Sequence, residues 1–308
     1  MPLDHPTTPL PTPPRAAQIR GRARRAFAAA LLALGAALTL SGTAFAVSPE
    51  RDAADVVVDA PASDTSSVVD VSAQGKPGGG PKPSRGYDIS YPQCNGQLPS
   101  NPAFGIVGVN GGIVFSANPC LSAQIAWGGG SAAGLYANTG NPGPALSSHW
   151  PSGQASPRAC DAANPDTDDC AYDYGWNAAQ DSFGTAQSAY TSLGLTASPA
   201  GTAWWLDVET SNSWRDNNLP FNVAALQGEV DYLLGAGVTE IGFYSTTYQW
   251  GVVTGGTKVF AAYPSWGAGA RSERVARNLC QTTTTSFTGG PLSLVQYPYS
   301  GFDADIAC

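Results

Sequence analysis

Five short runs constrain this chain more than anything else in it: "GYDISY" (86–91), "FGIVGVN" (104–110), "AGLYANT" (133–139), "AWWLDVE" (203–209) and "EIGFYST" (240–246). Each is apolar on both faces of a strand, and the stretches between them suit helices. A strand that is apolar on both faces has to be covered on both, and intervening helices do this in parallel α/β sheets. Helices are expected near Leu121–Trp127, from about Tyr174 to Leu193, and over Asn222–Ala236. After the fifth run come "SWGAG" (265–269), "LSLVQYP" (292–298) and "FDADIA" (302–307), with little room for full helices. Five βα units and three further strands total eight, which permits an irregular TIM-like α/β barrel over residues 85–308.

The segments before it are set apart by composition. Residues 1–46 read as an export signal: a leader with Arg15, Arg20, Arg22, Arg24 and Arg25, an apolar stretch Phe27–Leu40, and the small-x-small site Ala44-Phe45-Ala46. Arg24-Arg25 also begins a twin-arginine pattern, although Sec export is the stronger expectation. Residues 47–84 are rich in Ser, Asp, Ala, Gly and Pro, end in "GKPGGGPKPS" and hold no aromatic residue, so a disordered linker is expected. The protein is expected to be secreted, with no transmembrane anchor once the signal is cleaved.

Six cysteines follow the signal: Cys94, Cys120, Cys160, Cys170, Cys280 and Cys308. An even count in an exported chain argues for three disulfides, which the sequence leaves among fifteen connectivities. Pairing of neighbours (94 with 120, 160 with 170, 280 with 308) is expected because each closes a short loop. There is no C-x-x-C, and His149 is the only histidine past the signal, so a metal centre, a cofactor and a Ser-His-Asp site are all poorly supported. Without the signal, ten Lys/Arg face 22 Asp/Glu, a net charge of −12, and the basic residues form no cluster. Nucleic acid is not an expected partner.

Acidic residues recur at strand ends. Asp88 lies in the first run, Asp207 and Glu209 end the fourth, and Asp303 and Asp305 sit in the last. Asp207 and Glu209, two apart, share one face. In a barrel these ends meet at one mouth, where crowding and burial raise the pKa of at least one carboxyl. Glycosidic cleavage needs this arrangement: an acid to protonate the leaving oxygen, and carboxylates to stabilise the oxocarbenium-like centre. Trp150, Trp205, Trp214, Tyr244, Trp250, Trp266, Tyr297 and Tyr299 fall at strand ends or in the long Asn141–Asp173 segment, and two or three of them are expected to line a groove. That segment holds Cys160 and Cys170, and should rise as an ordered loop from the mouth.

The ordered series resembles the family 25 glycoside hydrolases, the Chalaropsis-type lysozymes. "DISYPQ" (88–93) resembles their D-x-S-x-x-Q opening strand, "GLYANTG" (134–140) their third strand, "WWLDVET" (204–210) their D-x-E strand and "IGFYSTTYQWG" (241–251) their fifth. "WGAG" (266–269), "LVQY" (294–297) and "GFDAD" (301–305) follow in the same order. The resemblance implies cleavage of the β-1,4 bond between N-acetylmuramic acid and N-acetylglucosamine in peptidoglycan. It implies Glu209 as general acid, Asp207 as the group orienting the substrate acetamido, Asp88 and Asp303 completing an acidic floor, and Tyr136 assisting. Trp205, Tyr244, Trp266, Gln296 and Asp305 are the expected substrate contacts, and the protein is expected to act as a monomer on a cell-wall glycan. The chain departs from the series at "VNGGIVFS" (109–116), at "NTGNP" (138–142) and in the Asn141–Asp173 insertion. Two other readings stay open: a barrel that binds an envelope glycan without cleaving it, and an acidic mouth that holds a cation.

Overall fold

The computed structural model describes residues 85–308; the expected export signal and linker lie outside the described residues. Eight strands close into one barrel in sequence order: β1 (Arg85–Ile89), β2 (Gly105–Gly108), β3 (Gly134–Asn138), β4 (Trp204–Asp207), β5 (Ile241–Ser245), β6 (Ser265–Gly267), β7 (Leu292–Tyr299) and β8 (Phe302–Ala307). Pairing is parallel from β1 through β7, whereas β8 runs antiparallel to both β7 and β1. A two-residue turn after β7 forces that reversal, since a hairpin can only join antiparallel strands.

Five helices pack outside: α1 (Leu121–Trp127), α2 (Asp168–Ser192), α3 (Leu219–Gly235), α4 (Thr247–Thr254) and α5 (Glu273–Thr282). Two expectations need correction. The long helix begins at Asp168, six residues before Tyr174, because Thr167 accepts a hydrogen bond from the Cys170 amide and Asp168 and Asp169 offset the helix dipole. The irregular part of the insertion is therefore 141–167. Helices α4 and α5 also occupy the connections flanking β6, where little room was expected; Thr246 and Ser272 cap them. Among the described residues no helix is long and apolar enough to cross a membrane.

Alternation along each strand divides the side chains. On β4, Trp204 and Leu206 point outward into the layer under α2 and α3, where the Phe183 ring stacks on Trp204 at 5.8 Å. Trp205 and Asp207 point into the barrel. The interior side chains form one cluster whose two ends differ: Ile106, Trp205 and Leu294 line a hollow below, where the parallel strands begin, and Tyr136, Tyr244 and Trp266 line the cavity above, where they end. Glycines make room for the large rings: a Cβ on Gly242 would lie 2.3 Å from the Trp205 ring. A Cβ on Gly108 would lie 2.6 Å from Ser90 Cβ and 2.7 Å from the Tyr136 ring. Gly108→Ala should therefore push Tyr136 out of place and cost roughly 1–3 kcal/mol, read as a lower denaturant midpoint. An unchanged midpoint would mean that the upper end of this cluster is not tightly filled.

Three disulfides join sequence neighbours: Cys94–Cys120, Cys160–Cys170 and Cys280–Cys308. The first ties the turn after β1 to the start of α1, the second holds the insertion to α2, and the third anchors the end of β8 to α5.

Candidate active site

The parallel strands all end at one rim, and β8, entering in the opposite sense, begins there. Asp88, Asp207, Glu209 and Asp303 reach a cavity of about 150 Å³ at that rim, with Tyr136, Tyr244, Trp266 and Gln296 completing its lining. Register explains the convergence. Asn138, Asp207 and Tyr244 are level across β3, β4 and β5, and Asp88 is level with Asp303 across β1 and β8. Because β8 is antiparallel, its first acid, Asp303, stands at the mouth and Asp305 lies two residues deeper, opposite Gly86 and Gln296.

Depth corrects two expectations. Asp305 and Trp205 do not reach the cavity. Asp305 is fully buried and accepts a hydrogen bond from Trp266 Nε1 at 2.8 Å. Trp205 is buried at the lower end of the interior cluster, edge-on to Trp266 at 5.8 Å. Both support Trp266 from below. Of the other aromatic candidates, Trp150, Trp250 and Tyr297 are buried in packing, Tyr299 lies under the Arg85 guanidinium, and Trp214 donates to the main-chain oxygen of Glu209 at 2.8 Å.

Hydrogen bonds set each carboxyl. Tyr244 Oη donates to Gln296 Oε1 at 2.8 Å, and Gln296 Nε2 donates to Asp88 Oδ2 at 3.0 Å. Asn138 Nδ2 donates to Asp207 Oδ2 at 2.7 Å, while the buried Oδ1 of Asp207 has no protein partner. Buried Asn110 accepts from the Asn138 amide at 2.9 Å and donates to Ser182 on α2, fixing the segment that holds Asp207. The Gln249 side chain on α4 reaches the segment that carries Glu209, accepting from the Thr210 amide at 2.7 Å. Asn110, Asn138 and Gln249 escape sequence reading because an amide side chain has no charge to mark it. Asn138 alone carried a usable signal, its place on the face two residues past Tyr136.

Every acid at the mouth binds its proton more tightly than usual. Burial pushes Asp88 up to about 7; the Gln296 hydrogen bond opposes the rise and repulsion from Asp303 adds to it. Burial raises Asp207 well above the carboxylate range, with repulsion from Glu209 next, and Asn138 opposing. Burial also raises Glu209, with the neighbouring Gln249 amide opposing, and raises Asp303. Two acids this close in a dry site titrate as a pair rather than independently, and each makes the other harder to ionise. Tyr136, raised by burial and then by Asp88, stays a neutral phenol. Among the described residues no group of three His, Cys, Asp or Glu side chains is arranged to hold a metal ion.

These shifts carry a stability consequence. A carboxyl whose folded pKa is raised contributes stability that is full below its unfolded value and is lost as pH rises through the folded value. For Asp88 that window runs from 3.8 to about 7. Asp166 and Glu273, lowered by their arginine partners, act in the opposite sense but only below the ordinary carboxylate range. The melting temperature should therefore fall as pH is raised from about 5 to about 8, and less steeply in Asp88→Asn. A flat or rising profile would contradict the buried-acid description.

No protein-family model matches the sequence, and no curated protein is a significant match to it. Among solved structures, the chain is similar to a muramidase from Trichobolus zukalii at 18% identity, covering 73% of this chain and 93% of that one, with a TM-score of 0.43. A family GH25 lysozyme from Aspergillus fumigatus matches at 15% identity over 74% of this chain and 94% of its own, with a TM-score of 0.46. The bacterial lysozyme from Streptomyces coelicolor matches at 15% identity, 73% and 92% coverage and a TM-score of 0.42. At these identities and scores the likeness assigns no chemistry to this chain.

Proposed function

We propose that the protein is a secreted muramidase-type glycoside hydrolase that cleaves β-1,4 bonds in peptidoglycan or a related amino-sugar polymer. The observation that carries this reading is the set of four carboxyls around one small cavity, two of them consecutive on one face of β4 and its extension, with raised pKa values and no lysine or arginine in the lining. A structural ion-pair cluster would place cations there. The same mouth has Tyr136, Tyr244 and Trp266 beside the acids, and rings of this kind pack against sugar faces.

In this reading Glu209 is the general acid. It is half-buried at the rim beside Gln249, burial makes it hold its proton more tightly than usual, and it gives that proton to the glycosidic oxygen as the C1–O bond breaks. Asp207, fixed by Asn138, orients the acetamido group whose oxygen closes on C1 and spreads the developing positive charge. Water then attacks C1 as the bond from C1 to the acetamido oxygen breaks, one proton of the water passing to Glu209 and the hydroxyl completing the new reducing end. Asp88 and Asp303 keep the floor negative beneath the oxocarbenium-like centre. The likeness to family 25 sequences at "DISYPQ", "WWLDVET" and "GFDAD" falls on these same residues.

The test is release of reducing ends from purified peptidoglycan by the oxidised protein, with chitin as the comparison polymer. Reducing ends of muramic acid are expected from peptidoglycan. A folded protein that releases none from either polymer would overturn the hydrolase reading and leave the mouth as a binding site.

A further inference from the structure

Beside the mouth lies a second cavity of about 340 Å³, walled by the loop after β2, the first part of the 141–167 insertion and the loop after β4. Resting on the glycan-hydrolase reading above, we propose that this cavity is a saccharide subsite. It takes a neutral N-acetylated amino-sugar ring of the same chain that crosses the mouth, with the Phe115 and His149 rings as its platform.

Continuity is the first support. Thr139 and Asn212 line this cavity, and both hold the main-chain oxygen of Asp207, Thr139 Oγ1 at 2.6 Å and Asn212 Nδ2 at 3.1 Å. Asp207, whose side chain lines the mouth, is thus bonded through its main chain to two residues that line the second cavity. Its size falls within the range of small-molecule sites.

The lining names the occupant. No Asp, Glu, Lys or Arg contributes to it; serine hydroxyls alternate with apolar side chains, of which Ile113 and Leu146 are 69% and 80% exposed. A neutral sugar has hydroxyls at its rim, an apolar ring face and an acetamido methyl, which match such a surface. The peptide stems of a cell wall carry carboxylates and would call for a cation.

The platform is held at a cost. Phe115 sits at φ 59°, a left-handed conformation that a bulky residue rarely adopts. Its ring lies parallel to His149, with centroids 4.2 Å apart and planes 4° from parallel, and edge-on to Tyr174 at 5.3 Å. Strain of this kind persists only where surrounding structure imposes it, and it concentrates at ligand sites. The surroundings are braced: Cys160–Cys170 closes the insertion, Trp150 stacks on Tyr174 at 5.1 Å, and Arg215 forks onto Asp166 at 2.5 and 3.0 Å, tying the insertion to the loop after β4. A preformed wall binds without an ordering cost.

The experiment titrates N-acetylglucosamine trimer and pentamer into the full protein carrying Glu209→Gln, which permits binding to be read without turnover. The pentamer is expected to bind more tightly than the trimer. Phe115→Gly, which removes the ring and the backbone strain together and so keeps the fold, should weaken the pentamer roughly tenfold and leave the trimer unchanged. Phe115→Tyr should restore it, and His149→Ala should weaken the pentamer in the same sense. The proposal is overturned if the pentamer gains nothing over the trimer, if Phe115→Gly binds both as its parent does, or if the loss appears only with peptide-bearing fragments. Pentamer binding that depends on Phe115, in a protein that with Glu209 intact cleaves no polymer, would sustain the subsite and remove the hydrolase reading; cleavage of peptidoglycan with no such binding would do the reverse.

Discussion

Glu209→Gln is expected to lower the release of reducing ends from peptidoglycan by about 10²- to 10⁴-fold, the range that loss of a general acid costs. Glutamine keeps the shape of the side chain, so the melting temperature should move little. What it removes is the proton that the proposed mechanism assigns to the leaving oxygen; Asp207 is buried deeper and Asp303 lies across the barrel on β8. Asp207→Asn separates the roles. It should cut kcat by roughly 10²- to 10³-fold through lost charge stabilisation, while sparing the alkaline limb of the pH profile, which reports loss of the general acid's proton. If Glu209→Gln retains more than a tenth of wild-type activity, another carboxyl supplies the proton and the assignment fails.

The second large effect is on stability. Replacing Cys280 and Cys308 together with serine opens a closure spanning 28 residues, which chain entropy values at about 3–4 kcal/mol. For a domain of this size that corresponds to a fall of roughly 7–15 °C in melting temperature. The position matters as much as the entropy. Cys308 ends β8, the strand that closes the barrel between β7 and β1, and β8 carries Asp303 into the mouth and Asp305 beneath it. Besides the packing of Ala276 and Leu279 against Val295 and Ile306, this side is tied by the cluster in which Arg85 and Arg277 both bond Glu273, and such partly exposed pairs contribute little. Activity should therefore disappear at a lower temperature than in the wild type. A shift smaller than about 2 °C would show that strand pairing alone closes the barrel.

Much of this architecture is legible along the chain because a strand buried on both faces leaves a continuous apolar run. All eight runs named from the sequence coincide with a strand to within one residue or contain it, and helices α1 and α3 lie within three residues of their expected bounds. The failures have physical causes. Helix α5 has an apolar stripe among charged residues, and the short, Gly-rich segments around it conceal room for ten residues. The start of α2 was obscured by its own capping residues, since Thr167, Asp168 and Asp169 read equally well as loop.

At the mouth the division is sharper. Which carboxyls share a face follows from the two-residue period of a strand, and that is a property of "LDVE" alone. Depth is not. Asp303 and Asp305 are equivalent by composition and by period; only the antiparallel entry of β8, imposed by the hairpin after Tyr299, puts the first at the rim and the second beneath Trp266. Trp205 likewise has the position of a substrate contact until the register with Gly242 shows its ring at the lower end of the interior cluster. The sequence by itself determined the strands, the order of the barrel and the acids available to its mouth, because these depend on local period and composition. Tertiary structure alone decided which of those acids meet, how deep each lies and which neutral amides hold them, because register, strand direction and burial arise only when distant segments pack.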